Sequence, residues 1–315
     1  MSGPDEFEQI ARLYRPLTRG AAEAFGLLDD AAAIPARPGF DLVITKDAVV
    51  AGVHFPVDEA PDLIARKLLR ANLSDLAAKA AEPYGYFLAV SWPADFTFAR
   101  REAFARGLAQ DGASFDLSLL GGDTTSTPGP LSASVTMLGW VRAGGMVRRA
   151  GARAGDLVLV SGTIGDGTLG LAAVRGEIAD SAGWLADRYR LPRPRLDLRE
   201  ALRAHASAAA DVSDGLIADT GHVARASSVG IRLHLDALPL SAPARAWLDA
   251  QPDRVAGLLR LATGGDDYEV VCTAPPQAAA ALGLTTIGEV VVGEGVEVFV
   301  GEARVEAGAG GWTHR

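Results

Sequence analysis

What most limits this chain is the recurrence of acidic residues at the ends of apolar segments. Asp29-Asp30, Asp47, Asp75, Asp123, Asp211 with Asp214, and Asp266-Asp267 each adjoin a hydrophobic strand or helix, most of them beside glycine or serine. In an open α/β sheet the strand ends are where loops gather and ligands bind. A solvated loop explains any one of these acids taken alone. As a set they are harder to accommodate, because clustered carboxylates repel and need a cation between them. The stretch Leu119–Thr125, LLGGDTT, states the problem most sharply. Two apolar residues end an expected buried strand, and two glycines permit a turn and close approach by an anion. Asp123 would repel that anion unless a cation intervenes. A tight turn capped by aspartate accounts for the same residues with no ligand.

The chemistry of the donors narrows the cation. A single cysteine, Cys272, excludes an intrachain disulfide framework and a cysteine-based zinc site. The five histidines show no metal-ligand spacing and read as structural or exposed. Oxygen donors alone favour Mg²⁺, held by one or two carboxylates together with phosphate oxygens. Magnesium among many carboxylates points to phosphoryl transfer, where positioning and charge neutralisation supply most of the catalysis. The chain has no GxxxxGK[ST] loop and lacks the protein-kinase signature set. Gly165, Gly167 and Gly170 do satisfy G-x-G-x-x-G after a strand. The second strand ending in an acid about 20 residues on, which a dinucleotide site needs, is missing, and a structural helix entry is the expected reading.

At 315 residues, with a boundary near the basic, glycine-punctuated passage Met146–Gly155, two domains are expected, 1–145 and 146–315. Helices are expected over 5–25, 61–82, 97–112, 217–227 and 243–262, with helical sequence also following Gly170. Strands are expected over 41–45, 85–92, 117–120, 131–141, 156–161, 231–235 and 270–273, with more near 285–299. The class is therefore α/β (α+β). A net charge of −9 argues against general nucleic-acid or membrane-surface binding. With no apolar signal core at the acidic N-terminus and no run long enough to span a bilayer, a cytoplasmic location is the default expectation. Asp75, inside the 61–82 helix, is either on its solvent face or paired.

Taken in order, GLLDDAAAI, TKDAVVAGVHF, NLSDLAAKAAEP, LLGGDTT, DVSDGL and TGGDDYE, with a C-terminal aromatic, resemble the thiamine-monophosphate kinase family. That family lies within the aminoimidazole-ribonucleotide synthetase superfamily, and the resemblance covers nearly the whole chain. It implies a two-domain fold: an N-terminal mixed sheet with helices, which binds ATP and magnesium and dimerises through its sheet, and a C-terminal α/β domain, with ATP held between them. It implies ATP-dependent phosphorylation of thiamine monophosphate by in-line transfer with several Mg²⁺ ions, and no side-chain general base, since the attacking phosphate oxygen is already anionic. By the same resemblance Asp30, Thr45, Asp47, Asp75, Asp123 and Asp211 hold magnesium, and Asp214 a further ion. Lys46 occupies a metal-site position as well. Gly122, Asp123, Arg149 and Ser213 contact ATP; His54, Asp266 and Trp312 face the thiamine-phosphate substrate.

Three positions depart from the family pattern: Lys46 where threonine is usual, GLLDD for GIGDD, and Asp266 where the family has glutamate. They leave open the number of metals and the substrate affinity. Another ATP-using member of the superfamily, acting on a different small phosphorylated substrate, is the alternative within the fold. A non-catalytic nucleotide-binding homologue is the alternative outside catalysis. Selenophosphate synthetase is disfavoured because the only cysteine lies far downstream of that enzyme's N-terminal catalytic pair.

Overall fold

A computed structural model of the protein describes residues 5–308 and 310–311. The chain divides into two compact units. One runs up to Leu76 and from Ala81 to Gly144; the other comprises Ala77–Ala80 and the chain from Gly145 onward.

The first unit opens with α1 (Glu6–Gln9), whose N-terminus is closed by a reciprocal capping box between Asp5 and Glu8. The expected single helix over 5–25 does not form. A π-helical turn (Ile10–Tyr14) and two 3₁₀ segments (Arg15–Thr18 and Ala22–Leu27) follow instead. Pro16 cannot donate to a helical ladder, and Arg19, Phe25, Gly26 and Leu27 all take positive φ, which a right-handed helix cannot contain.

Then come β1 (Phe40–Val50), α2 (Pro61–Ala78), β2 (Glu82–Pro93), α3 (Phe98–Ser114), β3 (Ser118–Thr127) and β4 (Ser132–Arg142). The strands form a mixed sheet in the order β1-β4-β2-β3, in which only β2 and β3 run parallel. Burial alternates from Leu42 to Val49 of β1: Val43 and Val49 are buried, whereas Leu42 and Ile44 are 37% and 59% exposed. Helix α2 carries Ile64, Leu68, Leu69, Leu73 and Leu76 into the core. It packs so closely on α3 that a Cβ on Gly107 would lie 2.3 Å from the Asp62 carbonyl oxygen. Asp111 of α3, fully buried, is held by Arg66 (3.0 Å) and Arg70 (2.6 Å) of α2.

The LLGGDTT stretch is not a turn. β3 runs through it without interruption, with a bulge where Tyr86 pairs Leu119 and Phe87 pairs Gly121. The sequence places the strand end at the glycines because glycine usually weakens a ladder. Here the glycines are needed inside it: a Cβ on Gly122 would come within 1.9 Å of the Leu88 carbonyl oxygen on β2.

The second unit contains β5 (Leu157–Val160), α4 (Asp166–Val174), α5 (Trp184–Arg190), α6 (Arg199–His205), β6 (Ala208–Val212) and α7 (Leu216–Ser227). It continues with β7 (Gly230–His234), α8 (Ala242–Asp249), α9 (Arg254–Thr263), β8 (Glu269–Ala274), α10 (Pro276–Leu282), β9 (Thr285–Val291), β10 (Gly295–Val300) and β11 (Ala303–Val305). Its seven-stranded sheet has the order β11-β10-β7-β9-β5-β8-β6. The central strands are covered on both sides. Val158, Val160, Ala208, Ala210 and Val271 enter one core; Leu159, Ala209, Val270 and Cys272 enter the other. That is why consecutive residues such as Val158–Val160, Ala208–Ala210 and Val270–Cys272 are apolar. The helix expected over 243–262 is two helices, because Pro252 interrupts it and Asp253 caps α9 by accepting from the Ala256 amide.

Cys272 is wholly buried, and burial pushes its thiol up to about 12. It is expected to remain unmodified by Ellman's reagent in the native protein at pH 8 and to react fully on unfolding. Rapid native labelling, followed by absorbance, would show that β8 opens readily.

Candidate functional site

In the first unit Thr45 and Asp47 project from the inward side of β1, two residues apart and both half-buried. Thr45 donates its hydroxyl to the Asp75 carboxylate of α2. Asp75 is therefore paired, not on a solvent face. Lys46, between the two donors, projects to the opposite side, where its Nζ lies 3.3 Å from Ser134 Oγ of β4. Its ammonium is separated from Thr45 and Asp47 by the strand itself. Lys46→Thr is accordingly expected to leave the rate and its magnesium dependence within about twofold of the parent, as for surface changes away from a site. A steady-state titration with magnesium checks this.

Asp123 lies at the rim of a cavity of about 580 Å³, together with Asp29, Asp30, Gly121, Gly122 and Thr124. Apolar walls come from Phe7, Ile10, Leu27, Leu28, Phe87 and Leu88. Trp92, itself buried, donates its indole N–H to Thr124 Oγ1 at 2.9 Å, which fixes the strand beside Asp123. The Gly-to-Leu departure in GLLDD is harmless to the backbone: Leu28 has φ −110° and ψ 0°, open to any residue. Positive φ falls instead on Phe25, Gly26 and Leu27. His54 accepts the Val50 amide at Nδ1 (3.0 Å), so its Nε2–H is the ring's donor.

In the second unit two acidic corners meet. The Ser213 carbonyl accepts the Asp266 amide (2.9 Å), and the Val212 carbonyl accepts the Tyr268 amide (2.7 Å). Asp211 is buried at the end of β6. Asp266 has φ +68°, a region that aspartate enters more readily than most side chains. The exchange of the family's glutamate for aspartate thus suits the backbone there. Its neighbour Asp267 faces inward and is 1% exposed, its two carboxylate oxygens accepting the Gly165 and Gly167 amides at 2.8 Å each. Burial pushes this carboxyl up to about 8, against the pull of the two amides. The G-x-G-x-x-G motif is therefore a helix entry whose amides are taken by one of the protein's own side chains. Arg188 and Ser161 brace the same corner through Glu269, at 2.9 and 2.6 Å.

Asp219, at the start of α7, accepts three amides on Oδ2, from Ser213 (3.1 Å), Asp214 (3.0 Å) and Gly215 (3.1 Å). Burial, and then the nearby Asp214 charge, raise its carboxyl to about 7. His222 lies beside it, its basicity lowered by burial and by Arg149 and Arg225. Arg149 is thus placed next to the Ser213–Asp214 corner. Trp312 lies outside the described residues.

The sequence does not single out Asp219, and it leaves His222 among the structural histidines. Asp267 stands out in it only as half of an acidic pair. The available signal is the spacing of Asp214, Asp219 and His222 around a helix start, which brings them together only once that helix is placed. Among the described residues, no three of Asp30, Asp47, Asp75 and Asp123 bring ligand atoms into one tight group. Such a spread, all-oxygen donor set fits hard cations that share their coordination with phosphate and water.

Residues 28–141 match the AIR synthase related protein, N-terminal domain, and residues 153–301 the AIR synthase related protein, C-terminal domain. Thiamine-monophosphate kinase of Caulobacter vibrioides is 59% identical over 99% of this chain and 91% of its own length. The chain belongs to the thiamine-monophosphate kinase family. The enzyme of that name from Salmonella typhimurium is 40% identical over 86% of the chain and 82% of its own length. Among solved structures, thiamine-monophosphate kinase from Stenotrophomonas maltophilia superposes with a TM-score of 0.83 at 39% identity, covering 95% of this chain and 98% of that one. AaThiL, complexed with AMPPCP and TMP, superposes with a TM-score of 0.80 at 30% identity, covering 92% and 96%. The expected two-domain α/β fold of the family is the fold observed.

Proposed function

We propose that this chain is a kinase that transfers the γ-phosphoryl group of ATP to the phosphate of thiamine monophosphate, forming thiamine diphosphate and ADP. The observation that carries the reading is Thr45 and Asp47 on one face of β1, with Thr45 paired to Asp75 of α2, in a chain that aligns over 99% of its length with an enzyme of that name. A structural relative bound to an ATP analogue and TMP supports both the donor and the acceptor. Identity across the full chain favours this over another superfamily activity or a non-catalytic homologue.

In this reading Asp30, Thr45, Asp47, Asp75, Asp123 and Asp211 hold magnesium, Asp214 a further ion, and the position of Lys46 contributes only through its backbone. Magnesium bound there neutralises polyphosphate charge. Gly122 gives the nucleotide room beside Asp123, and Ser213 and the Arg149 guanidinium contact the ATP phosphates. His54 offers its Nε2–H to the substrate, and Asp266 and Trp312 are assigned to substrate binding. No side chain has to remove a proton, because the acceptor oxygen is ionised at neutral pH.

The first unit, with the boundary at 145, is assigned nucleotide and metal binding. It also pairs with a second copy through the outward sheet face that exposes Leu42 and Ile44. We place the enzyme in the cytoplasm; no helix among the described residues is long and apolar enough to cross a membrane. Incubating purified protein with ATP, thiamine monophosphate and magnesium, and separating the products by chromatography, tests the activity. Folded protein that yields no thiamine diphosphate overturns it. A solution mass of one chain rather than two would remove the dimer.

A further inference from the structure

We propose that Asp214, Asp219 and His222 form a divalent-cation site that prefers a transition-metal ion to magnesium. Ligand atoms of all three lie within 4.8 Å of one another, the one such trio among the described residues. Asp219 and His222 are three residues apart on α7, so they share a face one turn in, and Asp214 stands just ahead of the helix.

The second observation is an orphan. Asp219 is 0% exposed, and its Oδ2 is filled by three backbone amides. Its Oδ1 is buried with no hydrogen-bond partner. A carboxylate oxygen left so in a protein interior forfeits its hydration without return. The three amides orient the carboxylate, and a cation between it, Asp214 and the imidazole supplies what Oδ1 lacks. Arg225 Nη1 lies 3.4 Å from His222 Nδ1, at the long end for a hydrogen bond, and Arg225 is exposed. An ion can take the ring nitrogen without breaking a buried contact.

The imidazole sets the selectivity. Nitrogen donors suit manganese-to-zinc ions better than magnesium, whose preference is for oxygen. The inference shares Asp214 with the phosphoryl-transfer reading, but it concerns binding of an ion in the absence of nucleotide. The two can therefore fail separately.

The test is electron paramagnetic resonance of tag-free, full-length protein titrated with Mn²⁺ alone. We expect one bound Mn²⁺ whose electron spin-echo spectrum carries imidazole ¹⁴N modulation. The modulation is expected to vanish in His222→Gln, and Zn²⁺ is expected to displace that ion at a concentration at least about 10-fold lower than Mg²⁺ requires. Bound manganese with no nitrogen modulation overturns the site, as does modulation that survives in His222→Gln. Absence of binding at millimolar Mn²⁺ overturns it too, and equal displacement by Zn²⁺ and Mg²⁺ overturns the preference. The wild-type spectrum decides the matter even if the variant folds poorly. Thiamine diphosphate formation, assayed on the same preparation, reports separately on the kinase reading.

Discussion

Asp123→Asn is expected to lower the rate of thiamine diphosphate formation by about 10²–10³-fold, the loss seen when one charge-stabilising group is removed from a preorganised site. The side chain is exposed at the rim of the first unit's cavity, in a strand held by the Trp92–Thr124 hydrogen bond. The amide has nearly the same shape as the carboxylate, so neither β3 nor its bulge is disturbed. What is lost is one negative charge that would hold a cation against the polyphosphate. Stability is expected to stay within about 0.5 kcal/mol, as for other surface changes. Turnover by chromatographic assay, read beside a thermal melt, separates the two. Near-normal turnover would take Asp123 out of the metal set.

Gly122→Ala is the counterpart that acts through the backbone. The new Cβ would lie 1.9 Å from the Leu88 carbonyl oxygen and 2.9 Å from the Leu88 carbonyl carbon, atoms of a neighbouring strand that cannot step aside. The loss is expected to be at least about 3 kcal/mol, the upper range for inserting one carbon into a packed interior. For a unit of this size that corresponds to a fall in melting temperature of roughly 6–12 °C. Gly121→Ala makes the control, since its Cβ meets only the Phe87 ring, at 3.1 Å, and a ring can rotate away. Equal melting temperatures for the two variants would mean that β3 shifts freely against β2.

Much of the site is legible because metal-binding oxygen donors and apolar strand ends are both local features of sequence. Asp47 and Asp123 read as acids at the ends of strands. In the structure they lie within strands β1 and β3, which run further than the hydrophobic pattern indicates. The strand ends are misplaced for a physical reason: polar residues such as Asp47, Asp123, Thr124 and Thr125 continue a ladder whose exposed or half-exposed side gives no apolar signal. The N-terminal segment misleads for a different reason. Phe7, Ile10, Leu13 and Tyr14 have helical spacing, yet Pro16 and the positive φ values at Arg19 and Phe25 break the run. Contacts between distant corners are beyond reach. Nothing in TGGDDYE announces that Asp267 will occupy the amides of Gly165 and Gly167, or that the Asp266 amide will bond to Ser213.

The alternation along β1 has a consequence for how this strand can change. Thr45 and Asp47 belong to one parity and Leu42, Ile44, Lys46 and Ala48 to the other, with Thr45 opposite Met137 on β4. Residues of the outward parity can be exchanged one at a time without touching the donors, which is how a lysine can stand between two of them. Adding or deleting a single residue in the strand is another matter. It would invert every side chain beyond that point, turning Lys46 inward and Asp47 outward in one step. The strand tolerates substitution but not a change of frame.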